Sequence, residues 1–212
     1  NRSHFRSMDI WHTAEPTRVG DEGWLGNAIR QMEPNGDNVV AAVNFGAGLP
    51  RALVAKDAPV ASVTDLESYG MMDYLDIGDQ RDEALETFRR MYTGAIGSGP
   101  VMDFLSQTGL DALRGADILR SAASKYSSNV EYASNSFARS MKGASQVLQG
   151  DIGTRICYVT HGDYDGHTNG LALHDRLMRE LSGGIHDFYS DMSEHGLSEN
   201  VLVFVFSEFG RR

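Results

Sequence analysis

Cysteine, clustered positive charge and long apolar runs are all scarce in this sequence. Its 212 residues contain one cysteine, Cys157, so no disulfide can form within the chain. Cys157 lies in the apolar run RICYVT, where a thiol usually packs as a small hydrophobic side chain. A fold stapled by disulfides is therefore excluded, whereas secretion is not, because a secreted protein can do without disulfides.

Positive charge is in deficit, with 19 Lys and Arg residues against 29 Asp and Glu residues and a net charge of −10. No stretch gathers Lys and Arg into the basic patch that phosphate backbones require, so we predict no nucleic acid partner. The excess of carboxylates is compatible with a divalent cation but does not demonstrate one.

Membrane-spanning and export segments are also missing. No apolar stretch approaches the roughly 20 residues that span a bilayer, so no transmembrane segment is predicted. No signal peptide is present. The chain starts at NRSHF without methionine and stops at FSEFGRR, directly after an apolar run, so we expect both ends to be cut. The missing signal peptide is then no evidence for a cytoplasmic protein.

Apolar periodicity predicts an α/β fold, with a mainly parallel sheet sandwiched by helices in one domain over residues 1–212. Strands are predicted at 38–45, 58–64, 154–160 and 201–206. Helices are predicted at 3–14, 22–33, 80–96, 99–122, 136–150 and about 171–194. The run VLVFVF at 201–206 is too continuous for a half-exposed strand, so we expect it in a sheet covered on both faces, closing a βαβ unit with the preceding strand and helix.

Polar residues follow the last two predicted strands. They are His161, Asp163, Asp165 and His167 after the first, and Ser207 and Glu208 after the second. Parallel strands end at the same edge of a sheet, which is where ligands bind in α/β folds. Mixed Asp, Glu and His ligands suit Zn²⁺ or another divalent metal. The alternative is a polar turn, since Asp and Gly form loops and Asp or Asn caps a following helix. Composition alone favours the turn.

The start of the chain supplies a second candidate. Ser3 stands at a predicted helix N-terminus, which favours an anion, and a hydroxyl there can attack beside a metal. Simple N-capping is the alternative reading. His4 is a candidate metal ligand or a group supporting one, and Arg2 and Arg211 are candidates for bidentate binding of phosphate or sulfate.

Several motifs carry a family resemblance: RSHFRSMDIWHTA, GWLG, HGDYDGHTN followed by LHDRLMREL, and VLVFVFSEFGRR. Together they resemble the bacterial domain-of-unknown-function family 1501, which is grouped with the alkaline-phosphatase and sulfatase superfamily. The resemblance covers the whole chain. It implies an alkaline-phosphatase-like fold and a divalent metal (Zn, Mn, Ca or Mg). It also implies a periplasmic or extracellular location, because members often carry a twin-arginine export signal.

The family's motifs transfer to numbered positions here. Its Ser-His-Phe falls on residues 3–5, its Phe-Asp-Thr-His on 164–167, and its Ser-Glu-Phe-Gly-Arg on 207–211. Gly replaces the usual Thr at 166 and the usual Gln at 170. DYDGHT is also similar to the Asp-x-x-Gly-His-Thr of metal-dependent phosphoglycerate mutases, so either Asp163 or Asp165 is the implied metal carboxylate. Glu208 stands where the superfamily typically has the Asp of an Asp-His pair.

Two segments of the family are absent, an early strand ending in Gly-Gly-Asn-Asp and a late Thr-Asp-His-Gly. The resemblance therefore implies an incomplete domain that lacks ligands for a two-metal centre.

The leading hypothesis is a metal-dependent hydrolase of phosphate or sulfate esters, acting on a small molecule or a polymer. Asp165 or Asp163, His167 and Glu208 would hold the metal, and residues 79–150 would cover the site. Ser3, beside His4, would be the nucleophile or part of the oxyanion environment. The alternative is a non-catalytic secreted binding or structural relative with an incomplete metal site. A cytoplasmic mutase is a third reading, which DGHT favours and the Ser-His-Phe and Ser-Glu-Phe-Gly-Arg motifs disfavour.

Overall fold

The computed structural model describes residues 3–66, 69, 78–165 and 170–208. Within them the chain forms an α/β fold. The strands are β1 (Ala42–Phe45), β2 (Val60–Val63) and β3 (Ile156–Val159). The helices are α1 (His4–Thr13), α2 (Trp24–Met32), α3 (Gly78–Ala95), α4 (Pro100–Lys125), α5 (Ser136–Gln149) and α6 (Gly170–Glu194), and short 3-10 helices lie at Arg51–Leu53 and Ser198–Asn200. All six predicted helices and three of the four predicted strands are confirmed.

The sheet is parallel, with the order β2-β1-β3. Its central strand β1 is buried throughout, because helices cover both of its faces. One face packs against α4, α5 and α6 through a core of Val40, Val43, Phe45, Leu119, Phe137, Met141, Phe188 and Met192. The other face packs against α2 and the 3-10 helix at 51–53 through Ile29, Ala42 and Leu53. Among the described helices, none combines the length and the apolar character needed to cross a bilayer.

The apolar run 201–206 departs from its prediction. Within the described residues it is not assigned to a strand, and β3 pairs only with β1. Val201 and Val203 pack against the core, whereas Leu202 is 87% exposed and Phe204 59% exposed. The prediction of burial on both faces is therefore wrong for this run, because no described element covers its outer side.

A buried carboxylate fastens α6 to the connection between α4 and α5. Asp191 has no solvent exposure and accepts hydrogen bonds from the hydroxyls of Tyr126 and Tyr132, each at 2.8 Å, and from Gln149 Nε2 at 2.9 Å. Burial and the Asp191 carboxylate raise the pKa of both tyrosines, so both hydroxyls remain protonated donors. This cluster fixes the C-terminal part of α6 against α5 and the α4–α5 connection.

Two adjacent glycines in α6 differ in the space around them, because only Gly184 faces α5 closely. A Cβ at Gly184 would lie 2.6 Å from Phe137 Cε1, whereas a Cβ at Gly183 would meet nothing within 4 Å. We expect Gly184→Ala to lower the free energy of unfolding by about 1–2 kcal/mol through overpacking. Gly183→Ala should raise it by about 0.5–1 kcal/mol, because alanine is the better helix former. Urea denaturation followed by circular dichroism measures both, and changes of the same sign would contradict the packing described here.

Candidate functional site

The N-terminus of α1 lies against the end of the 201–208 segment. His4 Nδ1 is 3.8 Å from Glu208 Oε1, and the Ser7 hydroxyl donates to the Glu208 carbonyl at 2.8 Å. Ser3 is the N-cap of α1, and its hydroxyl oxygen accepts from the Arg6 backbone N–H at 3.3 Å. Residues from opposite ends of the chain, His4 and Glu208, thus meet here. We call these two residues and the neighbouring N-cap Ser3 the Ser-His-Glu corner.

A buried ion-pair cluster holds α1 in this position. The Asp9 side chain is 7% exposed and pairs with Arg6 of its own helix and with Arg51 at 2.8 Å. The Thr13 hydroxyl donates to the Asp9 carbonyl at 2.7 Å. Sequence reasoning missed this anchor, because Arg51 lies in a different element from Asp9. In the structure Phe5 is 87% exposed, whereas Asp9 and Thr13 are buried.

His12 extends the polar lining beyond the Ser-His-Glu corner. Burial lowers the pKa of His12 below its ordinary value, and the nearby positive charge of Arg51 lowers it further against the opposing charges of Asp9 and Glu208. Its imidazole is therefore neutral at pH 7 and can accept a proton or ligate a metal. Sequence reasoning missed His12. The signal was its place two turns after His4 in the same helix.

An open cavity of about 1370 Å³ begins beside the corner. It runs between β3 on one side and the 201–208 segment on the other. Side chains of α5 and α6 line one face, and Met8, Trp11 and His12 of α1 line another. None of its lining residues comes from α3 or α4, so within 79–150 only α5 borders it. The prediction that residues 79–150 cover the site stays a prediction.

The loop after β3 places His161 and Tyr164 on the cavity wall. His161 Nδ1 lies 2.7 Å from the Tyr164 hydroxyl, and His161 Nε2 lies 3.4 Å from Glu180 Oε2 of α6. The His161 ring also packs on Phe137, with 4.8 Å between ring centroids. Burial and the Glu180 charge raise the pKa of Tyr164, so its hydroxyl remains a donor. Glu180 was missed, although a carboxylate three residues after the buried Leu177 marked the edge of the apolar face.

The predicted site residues divide into three groups. The structure brings His4 and Glu208 together, and Ser3 caps the helix that begins at His4. Asp163 and Asp165 are exposed, and neither lines the cavity. Arg2, His167 and Arg211 lie outside the described residues.

The corner offers two donors that fit one divalent ion. A metal bound by an imidazole nitrogen and a carboxylate oxygen sits about 2.0–2.2 Å from each, so donors 3.8 Å apart can share it. Within the part of the chain that the structure describes, no group of three or more His, Cys, Asp or Glu side chains is placed to hold a metal. The full predicted ligand set therefore stays a prediction.

Comparison with known proteins gives one match. A family model described as "Protein of unknown function (DUF1501)" matches residues 4–212. No curated protein matches the chain, and no solved structure matches it.

Proposed function

The chain belongs to this DUF1501 family, and we propose that it is a metal-dependent hydrolase of phosphate or sulfate esters with an alkaline-phosphatase-like architecture. One observation carries the proposal: the His4 imidazole and the Glu208 carboxylate meet at the N-terminus of α1, which Ser3 caps, and Glu208 borders an open cavity. The N-terminal end of a helix favours the anionic group of an ester, and a His–Glu pair suits a divalent metal.

Each residue of the corner has a separate role. His4 and Glu208 would hold the metal, which when bound lowers the pKa of an attacking hydroxyl and stabilises charge on the transferring group. Ser3 would attack, and its oxygen accepts from the Arg6 N–H, which orients the side chain. Ser7 fixes the backbone of Glu208 and therefore the direction of its carboxylate. His12, which is neutral at pH 7 and borders the same cavity, would accept a proton.

Further ligands come from the loop after β3 in this proposal. Asp165 or Asp163, together with His167, would complete the metal site, and Arg2 and Arg211 would bind the anionic oxygens of the ester. The support is a shared cavity, since the 160–165 loop and the 207–208 turn both follow extended segments that border it.

Metal content and hydrolysis test the proposal on the same samples. The purified chain is loaded separately with Zn, Mn, Ca and Mg, desalted and subjected to elemental analysis, and then assayed with p-nitrophenyl phosphate and p-nitrophenyl sulfate. We expect near-stoichiometric binding of one metal. Glu208→Gln should weaken that binding at least about tenfold and abolish hydrolysis, because the amide loses the charge that binds the cation.

The matched control is Glu199→Gln, an exposed carboxylate in the 3-10 helix just before the same segment. It should bind metal and hydrolyse like the parent chain. Asp165→Ala, Asp163→Ala and His167→Ala then identify which loop residues are ligands. Background metal in the folded parent chain, or equal metal in the two glutamate variants, would rule out the corner as the metal site.

The second candidate is a non-catalytic exported binding protein. The large open cavity and the exposed positions of Asp163 and Asp165 favour it. It predicts no hydrolysis of either ester, whatever the metal content.

A further inference from the structure

We propose that the C-terminal end of α6 is a pH-sensitive clasp on the connection between α4 and α5, closed while the His195 imidazole is protonated and loosened when it is neutral. The α6 clasp consists of Asp191, Glu194 and His195, and the connection is residues 126–135. None of the three clasp residues lines the cavity, so the inference does not rest on the proposed hydrolase activity.

The two carboxylates of the α6 clasp hold the connection by its hydrogen-bond donors. The connection forms no helix or strand, so side-chain contacts fix its position. Asp191 accepts from the hydroxyls of Tyr126 and Tyr132. Glu194 accepts from Asn129 Nδ2 at 2.6 Å and from the Asn129 backbone N–H at 3.2 Å. The clasp therefore places two negative charges at the C-terminus of a helix, where the helix dipole is also negative.

His195 supplies the opposing positive charge. Its Nδ1 lies 2.9 Å from the Asp191 carbonyl oxygen and 3.4 Å from Asp191 Oδ1. The Ser127 carbonyl of the connection accepts a further hydrogen bond from the ring. A neutral imidazole has one N–H and one unprotonated nitrogen, whereas the imidazolium donates from both nitrogens. Acceptors from two elements thus favour the imidazolium, which joins α6 directly to the connection.

The surroundings of His195 raise its pKa, which makes the clasp strongest at lower pH. The hydrogen bond to the Asp191 carbonyl raises this pKa, and the Asp191 charge, the Ser127 carbonyl and the Glu194 charge add to it against partial burial. A group with a raised folded-state pKa contributes its stability in full below its unfolded pKa, about 6.5 for histidine. That contribution is lost as pH rises through the folded-state pKa, because the two carboxylates lose the adjacent positive charge.

The other groups of the network do not titrate in this range. Hydrogen bonds lower the pKa of Asp191 despite its burial, and burial raises the pKa of both tyrosines. The cation from α5, Lys142, lies over the Tyr126 ring with Nζ 5.8 Å from the ring centroid, and Glu199 of the following 3-10 helix is exposed. A loosening of the clasp between about pH 6 and pH 9 is therefore assigned to the imidazole.

Amide exchange on the full chain tests the clasp. Exchange of the Asn129 backbone N–H, which donates to Glu194, is measured from about pH 6 to about pH 9 and converted to a protection factor, which removes the intrinsic pH dependence of exchange. The ring C–H resonances of His195 are titrated by NMR over the same range. His195→Gln keeps a side-chain N–H donor but has no titrating group. His186→Gln, at an exposed position of the same helix, is the matched control.

We expect the protection factor of Asn129 to fall about three- to tenfold across this range, as loss of a positive charge at a helix C-terminus predicts. The midpoint should coincide with the NMR titration of His195, and His186→Gln should behave like the parent chain. In His195→Gln the protection factor should be low throughout and independent of pH. Three results would each overturn the inference. They are constant protection in the parent chain, a midpoint that differs from the His195 titration, and an unchanged pH dependence in His195→Gln. The first two are measured on the parent chain alone, so they hold even if the variant does not fold.

Discussion

Asp191→Ala is expected to lower the free energy of unfolding by about 3–5 kcal/mol, because three hydrogen bonds to one buried carboxylate are lost together. Asp191 is fully buried and accepts hydrogen bonds from Tyr126, Tyr132 and Gln149. Alanine removes the shared acceptor of these half-buried donors, and each donor that loses a partner is costly. Urea unfolding followed by far-ultraviolet circular dichroism measures the loss.

Matched variants separate the network from the helix itself. Asp187→Ala, one turn earlier in α6, removes a carboxylate for which the structure shows no such donors, so it should change stability by less than about 0.5 kcal/mol. Tyr126→Phe and Tyr132→Phe each remove one donor and should cost about 1–2 kcal/mol. Equal losses in Asp191→Ala and Asp187→Ala would show that helix propensity, rather than the buried network, determines the effect.

The pH dependence of folding stability tests the role of Asp191 independently. Burial alone would raise the pKa of Asp191, but hydrogen bonds from Tyr126, Tyr132, Ser128 and Ser145 outweigh burial and lower it. A carboxylate with a lowered folded-state pKa stabilises the fold above its unfolded pKa of about 4, and that stability is lost as pH falls through the folded pKa. The difference between the parent chain and Asp191→Ala should therefore be full at pH 7 and shrink below about pH 4.

Most of the secondary structure could be predicted from the sequence, because the patterns that indicate helices and strands are local. Ser3 predicts the start of α1 because serine is a favoured N-cap residue, and the structure shows Ser3 as that cap. The near-continuous apolar run ending at Phe45 predicts a strand, and the structure confirms it as β1, with Asn44 as its buried polar residue. Both features depend on neighbours within a few residues.

The buried polar clusters could not be predicted from the sequence, because the residues that pair with each buried carboxylate are distant in sequence. Asp191 lies in α6 beside the core residue Met192, and its donors Tyr126 and Tyr132 precede it by about 60 residues. Asp9 likewise depends on Arg51, from a different element. Neither carboxylate differs in local pattern from a solvated one, so only the tertiary arrangement distinguishes them.

The candidate site was predicted only in part, because local sequence patterns place residues within an element but not elements relative to one another. Continuous apolar character placed Glu208 at the end of an extended segment, and the N-cap placed Ser3 at a helix start. The sequence could not predict that these two ends would meet, because this depends on the Asp9–Arg51 pair that orients α1. The same limit applies to VLVFVF. Its apolar composition predicts cover on both faces, but it does not show whether another element lies there to cover it.

Replacing the Ser3 hydroxyl is expected to have the largest effect on catalysis. In the metal-loaded chain, Ser3→Ala should lower kcat for p-nitrophenyl phosphate or sulfate by about 10³-fold or more, as loss of a serine nucleophile does in other hydrolases. Alanine also removes the N-cap of α1, which costs about 1 kcal/mol of stability. A lower rate in this variant alone therefore has two explanations.

Ser3→Asn separates them, because asparagine caps a helix as well as serine but carries no hydroxyl. If Ser3 is the nucleophile, Ser3→Asn should lose as much kcat as Ser3→Ala while keeping the Tm of the parent chain. Ser3→Thr restores both the cap and a hydroxyl and should recover part of the rate. The opposite pattern, with Ser3→Asn fully active and only Ser3→Ala impaired, would reduce Ser3 to a helix cap. The attacking group would then have to be sought elsewhere along the cavity, beginning with a water oriented by neutral His12.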